Sequence, residues 1–498
     1  MNVLLWKPGV YDSTRGELPT IGLAILATTI IDAGHHVTIA DHHFNPPAVG
    51  EEETAFIDLL KETKPDLLGI SAVSHEWAMP RVQAAINTAH EMGIPIWVGG
   101  PHAIAFWDIL EQDERITKVV IGEADGRFQD ILDSEEKVLR LGRSEVFNEP
   151  TFSAMINSEN LVDYPLFVSR GCHYNCTFCA ATKVFGSRWR GRSLDTAFWD
   201  ELDRIAVNHP KCKMISIIDD AFTQDLEHAK DFLKEYLRRG YPYQVSVFNV
   251  RADYIDEEFL DLLKQTGVET LAVGIESGDP EVFRKLRKGE KLDTIATAIR
   301  MIQKAGITPW MNMVIGLPGD TIEAHRRSIE WVLQFDQPRI VQWLIFTPFR
   351  GTPAYDYFVE RGEIEDGYIP NFQGRYEKLP DDGMFDSAEF SREEKSLAQL
   401  EAFLRCRVPI LILSDERVRE LCKKHGMWEL YEEWRATAPI KEFLEKTVPN
   451  KIAKGQESMN EEEYHDLLAQ FKEGEIGVEF KNDNELPTDH FVYKGANP

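Results

Sequence analysis

Short apolar runs alternate with longer amphipathic stretches along most of this 498-residue chain, and no other feature of the sequence restricts its fold as strongly. Runs of about four to eight β-branched and aromatic residues predict strands, and the stretches between them, apolar on one face, predict helices. Strands that alternate with helices form parallel sheets covered by those helices. The pattern therefore predicts an α/β protein, and the length predicts two or three domains.

The first series of alternations covers residues 2–130 and predicts a doubly wound parallel sheet. Its strand-like runs are VLLW, HVTIAD, DLLGISAVS, IPIWVGG and TKVVIGE. Ligands of such sheets bind at the carboxyl ends of strands. The candidate ligand loops are therefore residues 7–19, 71–77, 99–102 and 122–125.

A second series begins at Leu166 with the runs LFVSR, MISIID, YQVSVFNV, TLAVGIE, PWMNMVIG and IVQWLIF. Six strand-helix units predict a partial barrel of parallel strands, (β/α)6. Beyond about Arg375 the pattern changes to Glu- and Lys-rich helices. The predicted organisation is an α/β domain at 1–135, a linker with room for one strand at 136–160, the barrel at 161–375 and a helical region with a loosely ordered tail at 376–498.

Charge and composition restrict the surroundings in which the chain works. The net charge of −28 argues against a nucleic-acid partner, because a phosphate-binding surface needs clustered Lys and Arg. The sequence contains neither an apolar run of about 20 residues, as a transmembrane segment needs, nor a signal peptide. Six cysteines are too few for a disulfide scaffold in a chain of this length. A cytoplasmic location is therefore predicted.

Three of those cysteines, Cys172, Cys176 and Cys179, form a C-x3-C-x2-C run directly after the first predicted barrel strand. Three thiolates can hold three irons of a 4Fe-4S cluster and leave the fourth iron open to a chelating substrate. Gly171 and Asn175 suit the tight turns of such a loop. Zinc is the competing interpretation, but a structural zinc site needs a fourth ligand, which would be His173 or a distant residue.

The cysteine run, with Phe178 directly before its last cysteine, resembles the signature of the radical S-adenosylmethionine (SAM) superfamily. The resemblance implies that the open iron binds SAM and that an electron from the cluster cleaves SAM to a 5'-deoxyadenosyl radical, which removes a hydrogen atom from the substrate. It assigns the catalytic role to the three cysteines and a SAM contact to Phe178. It also implies an external electron donor such as flavodoxin or ferredoxin.

Two downstream segments extend the resemblance. In IIDDAF, Asp219 and Asp220 would receive the SAM ammonium group, although either could instead cap a helix. In VGIESGDPEV, Glu276 and Ser277 would face the barrel and contact the ribose hydroxyls.

Three further matches follow the third, fifth and sixth predicted strands. Arg251 would pair with the SAM carboxylate, with a surface salt bridge as the alternative. In VIGLPGD, Gly316 and Gly319 would allow the backbone to line the adenine. TPFRGTP closes the sixth strand in the manner of this family.

The N-terminal series resembles the cobalamin-binding domain that precedes the radical SAM core in a large subgroup of the superfamily. The matching segments are DLLGISAVS, IPIWVGGPHA and VVIGEAD. A corrin ring needs a broad platform at the carboxyl edge of the sheet. The candidate contacts at that edge are Ser71, Ser74, Gly99, Gly100, His102, Gly122 and Glu123. A nucleotide, or a pocket that no longer binds a ligand, would use the same loops.

The run from Asp41 to Pro46 looks like the D-x-H-x-x-G motif that places a histidine under cobalt in some cobalamin proteins, but Pro46 replaces the glycine. The run also follows the second strand, whereas that motif follows the first. Asp41 is therefore interpreted as a strand-end acid and His43 as an ordinary loop residue, and no lower ligand from this motif is expected.

The remaining cysteines, Cys212, Cys406 and Cys422, share no metal-ligand spacing and are predicted to be buried. The aromatic residues of the predicted barrel strands, Trp310, Trp343 and Phe346, would wall a substrate pocket or belong to the core.

The resemblance implies methyl transfer to an unactivated carbon, or phosphorus, of a small or medium-sized substrate, with methylcobalamin as the donor. Two alternatives remain at this stage, namely radical cyclisation or rearrangement without methyl transfer and a non-catalytic corrinoid-binding protein. Substrate contacts are expected from the barrel interior and the C-terminal helices. The N-terminal sheet edge is expected to stack on the barrel mouth.

Overall fold

The structure is a computed structural model, and it describes residues 1–9, 18–47, 51, 54–337, 339–369, 385–408 and 415–436. The loosely ordered tail predicted for the end of the C-terminal region lies outside the described residues. The predicted ligand loop at 7–19 is described only at its two ends.

The N-terminal sheet is parallel, with strand order β2-β1-β3-β4-β5-β6. Its strands are β1 (Asn2–Lys7), β2 (His36–Asp41), β3 (Leu67–Ser71), β4 (Ile96–Gly99), β5 (Lys118–Gly122) and β6 (Val138–Gly142). Its helices are α1 (Ile21–Asp32), α2 (Ala55–Thr63), α3 (Ser74–Trp77), α4 (Pro80–Glu91), α5 (Gly100–Gln112) and α6 (Phe128–Asp133). Val3 and Leu5 enter one apolar core and Leu4 and Trp6 another, because successive side chains of a strand point to opposite faces. Both faces are covered, as the sequence predicted.

Residues 136–160, predicted as a linker, contain β6 and then return along the N-terminal sheet. Met155 forms a parallel bridge with Ile39 at the end of β2, and Phe152 and Met155 are buried. This segment therefore packs against the sheet on its way to the barrel.

The barrel consists of six parallel strands in two hydrogen-bonded groups, β11-β10-β7 and β12-β13-β14, joined by a bridge between Val250 and Val273. The strands are β7 (Asp163–Leu166), β10 (Met214–Ile217), β11 (Gln244–Val247), β12 (Thr270–Glu276), β13 (Thr308–Ile315) and β14 (Ile340–Ile345), and β8 (Ser169–Arg170) and β9 (Arg190–Gly191) form a short antiparallel ribbon. The helices are α7 (Ala181–Val184), α8 (Thr196–Asn208), α9 (Leu226–Arg239), α10 (Glu257–Gln265), α11 (Pro280–Lys285), α12 (Leu292–Lys304), α13 (Ile322–Leu333) and α14 (Pro353–Glu360). The predicted partial barrel is confirmed.

The first barrel strand differs from its prediction. The run LFVSR is predicted as one strand, but β7 ends at Leu166 and β8 begins at Ser169. The backbone N–H of Val168 donates to the carboxylate of Asp219 at 2.8 Å, and the hydroxyl of Ser169 donates to the same carboxylate at 2.6 Å. The strand is interrupted because a side chain, rather than a neighbouring strand, accepts the hydrogen bond at this point.

Three helices follow the barrel within the described residues: α15 (Arg392–Cys406), α16 (Asp415–Lys424) and α17 (Trp428–Ala436). A capping box between Ser391 and Glu394 begins α15, which packs against α13 and β14. Among the described helices, none combines the length and apolar character required to cross a bilayer.

Candidate active site

The three-cysteine loop lies between β8 and α7. Gly171, which begins it, has φ of +84°, and a Cβ at this position would lie 2.4 Å from the carbonyl oxygen of Arg188. Only glycine fits here. The backbone of Thr177 ties the loop to two other parts of the barrel, because its N–H donates to Leu286 at 2.9 Å and its carbonyl accepts from Ala354 at 2.9 Å.

The three thiols are partly buried and lie close enough to affect one another electrostatically. Burial raises the pKa of Cys172, that of Cys176 to about 12 and that of Cys179 to about 11, and neighbouring thiols add to the last two shifts. Three thiolates at this place therefore need the positive charge of bound metal.

The loop fits a cluster better than a single zinc ion. Within the described residues, no group of three His, Cys, Asp or Glu side chains could hold one metal ion. A 4Fe-4S cluster has no such requirement, because each cysteine binds a different iron. His173, the proposed fourth zinc ligand, has an exposed side chain whose Nδ1 contacts the amide of Gln224.

The two adjacent aspartates accept hydrogen bonds from the start of the cysteine loop and from the residues directly before it. Asp219 is fully buried, and burial raises its pKa to about 7, while both of its oxygens accept hydrogen bonds from the Val168–Ser169 segment. Asp220 accepts the N–H of Gly171 at 2.9 Å, and burial raises its pKa to about 6. Neither caps a helix, since Asp225 is the N-cap of α9. Their contact with the SAM ammonium group stays a prediction.

Glu276 ends β12 in an unusual backbone conformation. Its φ is +68°, and the pairing of β12 with β13 shifts in register beside it. Its buried carboxylate lies 3.3 Å from the ammonium nitrogen of Lys288, which is also 3.3 Å from Glu290. Burial raises the pKa of Glu276, and Lys288 opposes that shift. A non-glycine residue held at positive φ beside a cofactor loop is typical of a functional position.

Sequence reasoning missed Lys288 and Glu290. Burial lowers the pKa of Lys288, and the carboxylates of Glu276 and Glu290 together with Cys176 more than reverse that shift. In the sequence, RKGEK reads as a solvated run of charges. The one hint of a tight turn in this run is Gly289. In the structure its φ is +79°, and the ring of Tyr174 lies 3.4 Å from the position of a Cβ.

Arg251 is buried, so the surface salt bridge proposed as an alternative is excluded. Its guanidinium forks onto Asp253 at 3.1 and 2.9 Å, donates to the carbonyl of Lys288 at 2.9 Å and lies 3.3 Å from the centroid of the Tyr174 ring. The SAM carboxylate contact stays a prediction. In this structure Arg251 braces the loop through Tyr174.

The other predicted SAM contacts are engaged within the chain. Ser277 is buried and hydrogen-bonds to Ser328 of α13 at 3.2 Å. Gly316 has φ of +82°, and the space beside its Cα is filled by Lys395 of α15, 2.8 Å from the position of a Cβ. Phe178 is half-buried against the barrel core. The lack of a side chain at Gly316 thus leaves the space that Lys395 of α15 occupies.

The predicted cobalamin contacts lie together at the carboxyl ends of β3, β4 and β5, which are neighbours in the sheet. A Cβ on Gly100, where φ is +78°, would lie 2.7 Å from the hydroxyl oxygen of Ser71. Gly99 is not crowded in this way, and Ser74 begins α3. An edge of glycines and hydroxyl groups fits a broad, largely uncharged ring.

Three of the predicted contacts turn away from that edge. His102 is 1% exposed and stacks between Trp77 and Phe106, each with its ring centroid 4.9 Å away. Burial lowers the pKa of His102 to about 3, and neither ring nitrogen has a hydrogen-bond partner among the described residues. Gly122 packs on Gly142 of β6, and Glu123 pairs with Arg190 of the barrel.

The remaining sequence-based interpretations concern the core. Asp41 accepts the backbone N–H of Thr20, His43 and Phe44, in the manner of a strand-end acid. Cys212, Cys406 and Cys422 are buried, as expected. Trp310 and Trp343 are buried, and Phe346 packs on Phe358, so these aromatic residues belong to the core.

Comparison with known proteins agrees with this arrangement. The family model of the radical SAM superfamily matches residues 166–332, and the model of the B12 binding domain matches residues 8–132. The fold and the three-cysteine loop define a radical SAM enzyme. More narrowly, the chain combines a radical SAM domain with a B12-binding domain ahead of it.

Individual relatives match the chain over most of its length. The chain is 27% identical to the uncharacterized methyltransferase PH0819 of Pyrococcus horikoshii, over 72% of this chain and 83% of that protein. It is 24% identical to the anaerobic magnesium-protoporphyrin IX monomethyl ester cyclase of Synechocystis, over 70% of this chain and 75% of that protein. A solved structure with a similar fold is that of the radical SAM methyltransferase TsrM from Kitasatospora setae, with cobalamin and a 4Fe-4S cluster bound. The match covers 72% of this chain and 75% of that chain, with a TM-score of 0.58 and 19% identity. This last likeness concerns the fold.

Proposed function

We propose that the protein is a cobalamin-dependent radical SAM methyltransferase that acts on an unactivated carbon, or phosphorus, of a small or medium-sized substrate. The observation that carries the proposal is the contact between the carboxyl end of β5, in the N-terminal sheet, and the β8–β9 ribbon that leads into the cysteine loop. Glu123, at the end of β5, pairs with Arg190, and Asp125 pairs with Arg170, two residues before Cys172. This contact supports a placement of the two candidate cofactor sites next to each other, as a methyl transfer between them requires.

The residues of the barrel would prepare the reaction in three ways. Cys172, Cys176 and Cys179 would hold the cluster, and the partial burial of their thiols would limit the access of water. Lys288 and Arg251 place positive charge beside the thiolates. When bound, the cluster, SAM and cobalamin would supply the electron, the hydrogen-abstracting group and the methyl group.

An electron donor and a cellular compartment follow from this chemistry. The cluster must be reduced for each turnover, which calls for an external electron donor such as flavodoxin or ferredoxin. Three thiolates persist only in a reducing compartment, so we assign the enzyme to the cytoplasm.

The second candidate function is radical cyclisation or rearrangement without methyl transfer, favoured by the similarity to the cyclase of Synechocystis. A purely corrinoid-binding role is less consistent with the structure, because it gives the three-cysteine loop no function.

A measurement that needs no substrate tests the proposal. The anaerobically reconstituted holoenzyme is incubated with methyl-labelled SAM and a chemical reductant, and label in the extracted corrinoid and free 5'-deoxyadenosine are both quantified. We expect both products. 5'-Deoxyadenosine without labelled corrinoid would favour the cyclisation alternative, and the absence of both would contradict the proposal.

A pair of cysteine variants provides the matched control. Cys176→Ala should lose the broad visible absorption of a thiolate-ligated cluster together with 5'-deoxyadenosine formation. Cys212→Ala, which removes a buried cysteine outside the loop, should retain both. Retention of the cluster absorption in Cys176→Ala would overturn the cluster assignment.

A further inference from the structure

Within the described residues, two sets of ion pairs join residues 1–135 to the barrel. The loop bridge consists of Glu123 and Asp125 with Arg190 and Arg170, beside the three-cysteine loop. The mouth bridge consists of Asp108, in α5, and Arg350, which follows β14.

The loop bridge is buried and has fixed geometry. The guanidinium of Arg190 donates to the two oxygens of Glu123 at 2.7 and 2.6 Å, and the backbone N–H of Ser144 donates to the same carboxylate at 2.8 Å. Arg170 donates to Asp125 at 2.9 Å. All four charged side chains of this bridge are less than 10% exposed. A two-pronged pair defines an orientation as well as a distance, because both hydrogen bonds are lost when the partners rotate.

The mouth bridge has a similar two-pronged geometry and involves other elements of both domains. Arg350 donates to the two carboxylate oxygens of Asp108 at 2.6 and 3.0 Å and to the carbonyl of Ala105 at 3.2 Å. On its other side, Asp366 accepts two hydrogen bonds from Arg350, both at 2.9 Å. Asp366 of the barrel therefore orients the guanidinium of Arg350 toward Asp108 of the N-terminal domain.

Each bridge is attached to an element that carries predicted cobalamin contacts. Asp108 lies on α5, which begins at Gly100, and Glu123 directly follows Gly122 at the end of β5. A body held at one point can turn about it, whereas directional bonds from two different elements oppose that rotation. We infer that Arg190 and Arg350 are positioning residues that fix the cobalamin edge over the cysteine loop, so that the B12-binding domain does not swing away from the barrel during methyl transfer.

This inference rests on the proposed function, but its first test does not need turnover. Nitroxide labels are attached to cysteines introduced at Glu62 of α2 and Val207 of α8, both exposed. Pulsed electron paramagnetic resonance then measures the distance distribution between the labels in holoenzyme whose cluster is oxidised and whose cobalt is trivalent, so that neither cofactor adds a spin. We expect one narrow distribution in the parent and a broad one in Arg190→Lys/Arg350→Gln.

The control variant is Arg192→Gln. It breaks a buried pair with Glu201 that lies wholly within the barrel, so it disturbs the protein without crossing the contact. The distribution should stay narrow in this variant. A narrow distribution in Arg190→Lys/Arg350→Gln would overturn the inference. If the double variant fails to fold, Arg350→Gln alone provides the same test. This variant should fold, because the Asp108 carboxylate that loses its partner is partly exposed and stays hydrated.

A second readout separates the positioning role from general damage. Arg350→Gln should keep 5'-deoxyadenosine formation, which uses the barrel alone, and should lose label transfer from SAM to the corrinoid by about a hundredfold, as expected for reacting groups displaced by about 1 Å. Equal loss of both products would overturn the positioning role. If the parent itself transfers no label, the proposed function fails, whereas the nitroxide distances still decide whether the bridges fix the domain.

Discussion

The N-terminal sheet and the barrel meet at their carboxyl ends, but they present different chemistry there. The barrel side carries thiols and charged groups, including Asp220, Glu276 and Lys288, all buried or nearly so. Among the candidate corrin contacts that the structure describes, Ser71, Gly99 and Gly100 are uncharged, and Glu123 is paired with arginines of the barrel. On the barrel side, the charged groups thus compensate one another. At the sheet edge, Glu123 instead pairs with the barrel and joins the two regions.

The largest effect is expected where the two regions are joined. Glu123→Ala leaves Arg190 and Arg170 buried without their shared partner, which should cost about 3–5 kcal/mol of unfolding free energy. Arg204→Ala removes an exposed pair with Glu149 and should cost about 0–1 kcal/mol. Denaturant titration of both variants measures the difference. Equal costs would show that the buried bridge contributes no more than a surface pair.

The next prediction distinguishes two glycines of the sheet edge. At Gly122, where φ is +108°, a Cβ would lie 2.5 Å from the carbonyl oxygen of Gly142, so Gly122→Ala should cost about 3 kcal/mol through strain. At Gly99 the nearest atom would be 3.8 Å away and φ is −132°. Gly99→Ala should therefore leave the apoprotein as stable as the parent and weaken corrinoid binding, which titration with hydroxocobalamin measures. Unchanged binding would exclude Gly99 from the corrin platform.

Much of the architecture could be predicted because its signals are local. Alternating runs predicted both sheets, and the spacing of Cys172, Cys176 and Cys179 predicted the loop that carries the candidate site. The partners of those residues could not be predicted in the same way. Glu123 and Arg190 are 67 positions apart, and nothing in either segment specifies the other. Lys395 likewise reaches Gly316 only because α15 packs on the barrel.

The same limit applies to the surroundings of Asp219. Its position at a strand end predicts a contact with the ligand, and a carboxylate there can also satisfy backbone N–H groups of a neighbouring strand. It does so for the Val168–Ser169 segment and thereby divides the predicted first strand. Sequence places a side chain at an edge, and only packing determines the direction in which it points.

The smallest expected effect concerns pH and the buried histidine of the N-terminal domain. Burial lowers the pKa of His102 to about 3, from about 6.5 in the unfolded chain, so the unfolded state binds its proton first as the pH falls. The stability associated with neutral His102 is present above pH 6.5 and is lost between about pH 6.5 and pH 3. His102→Phe keeps the ring stack with Trp77 and Phe106 but removes the titration. Between pH 7 and pH 5, we expect the unfolding free energy of the variant to fall by about 2 kcal/mol less than that of the parent, as measured by denaturant titration.

His325 of the barrel, whose pKa burial lowers to about 4, should preserve the remaining pH dependence of stability in both proteins. Identical pH dependence in the variant and the parent would show that His102 is accessible to protons in the folded state, as a residue facing the open cobalamin edge would be.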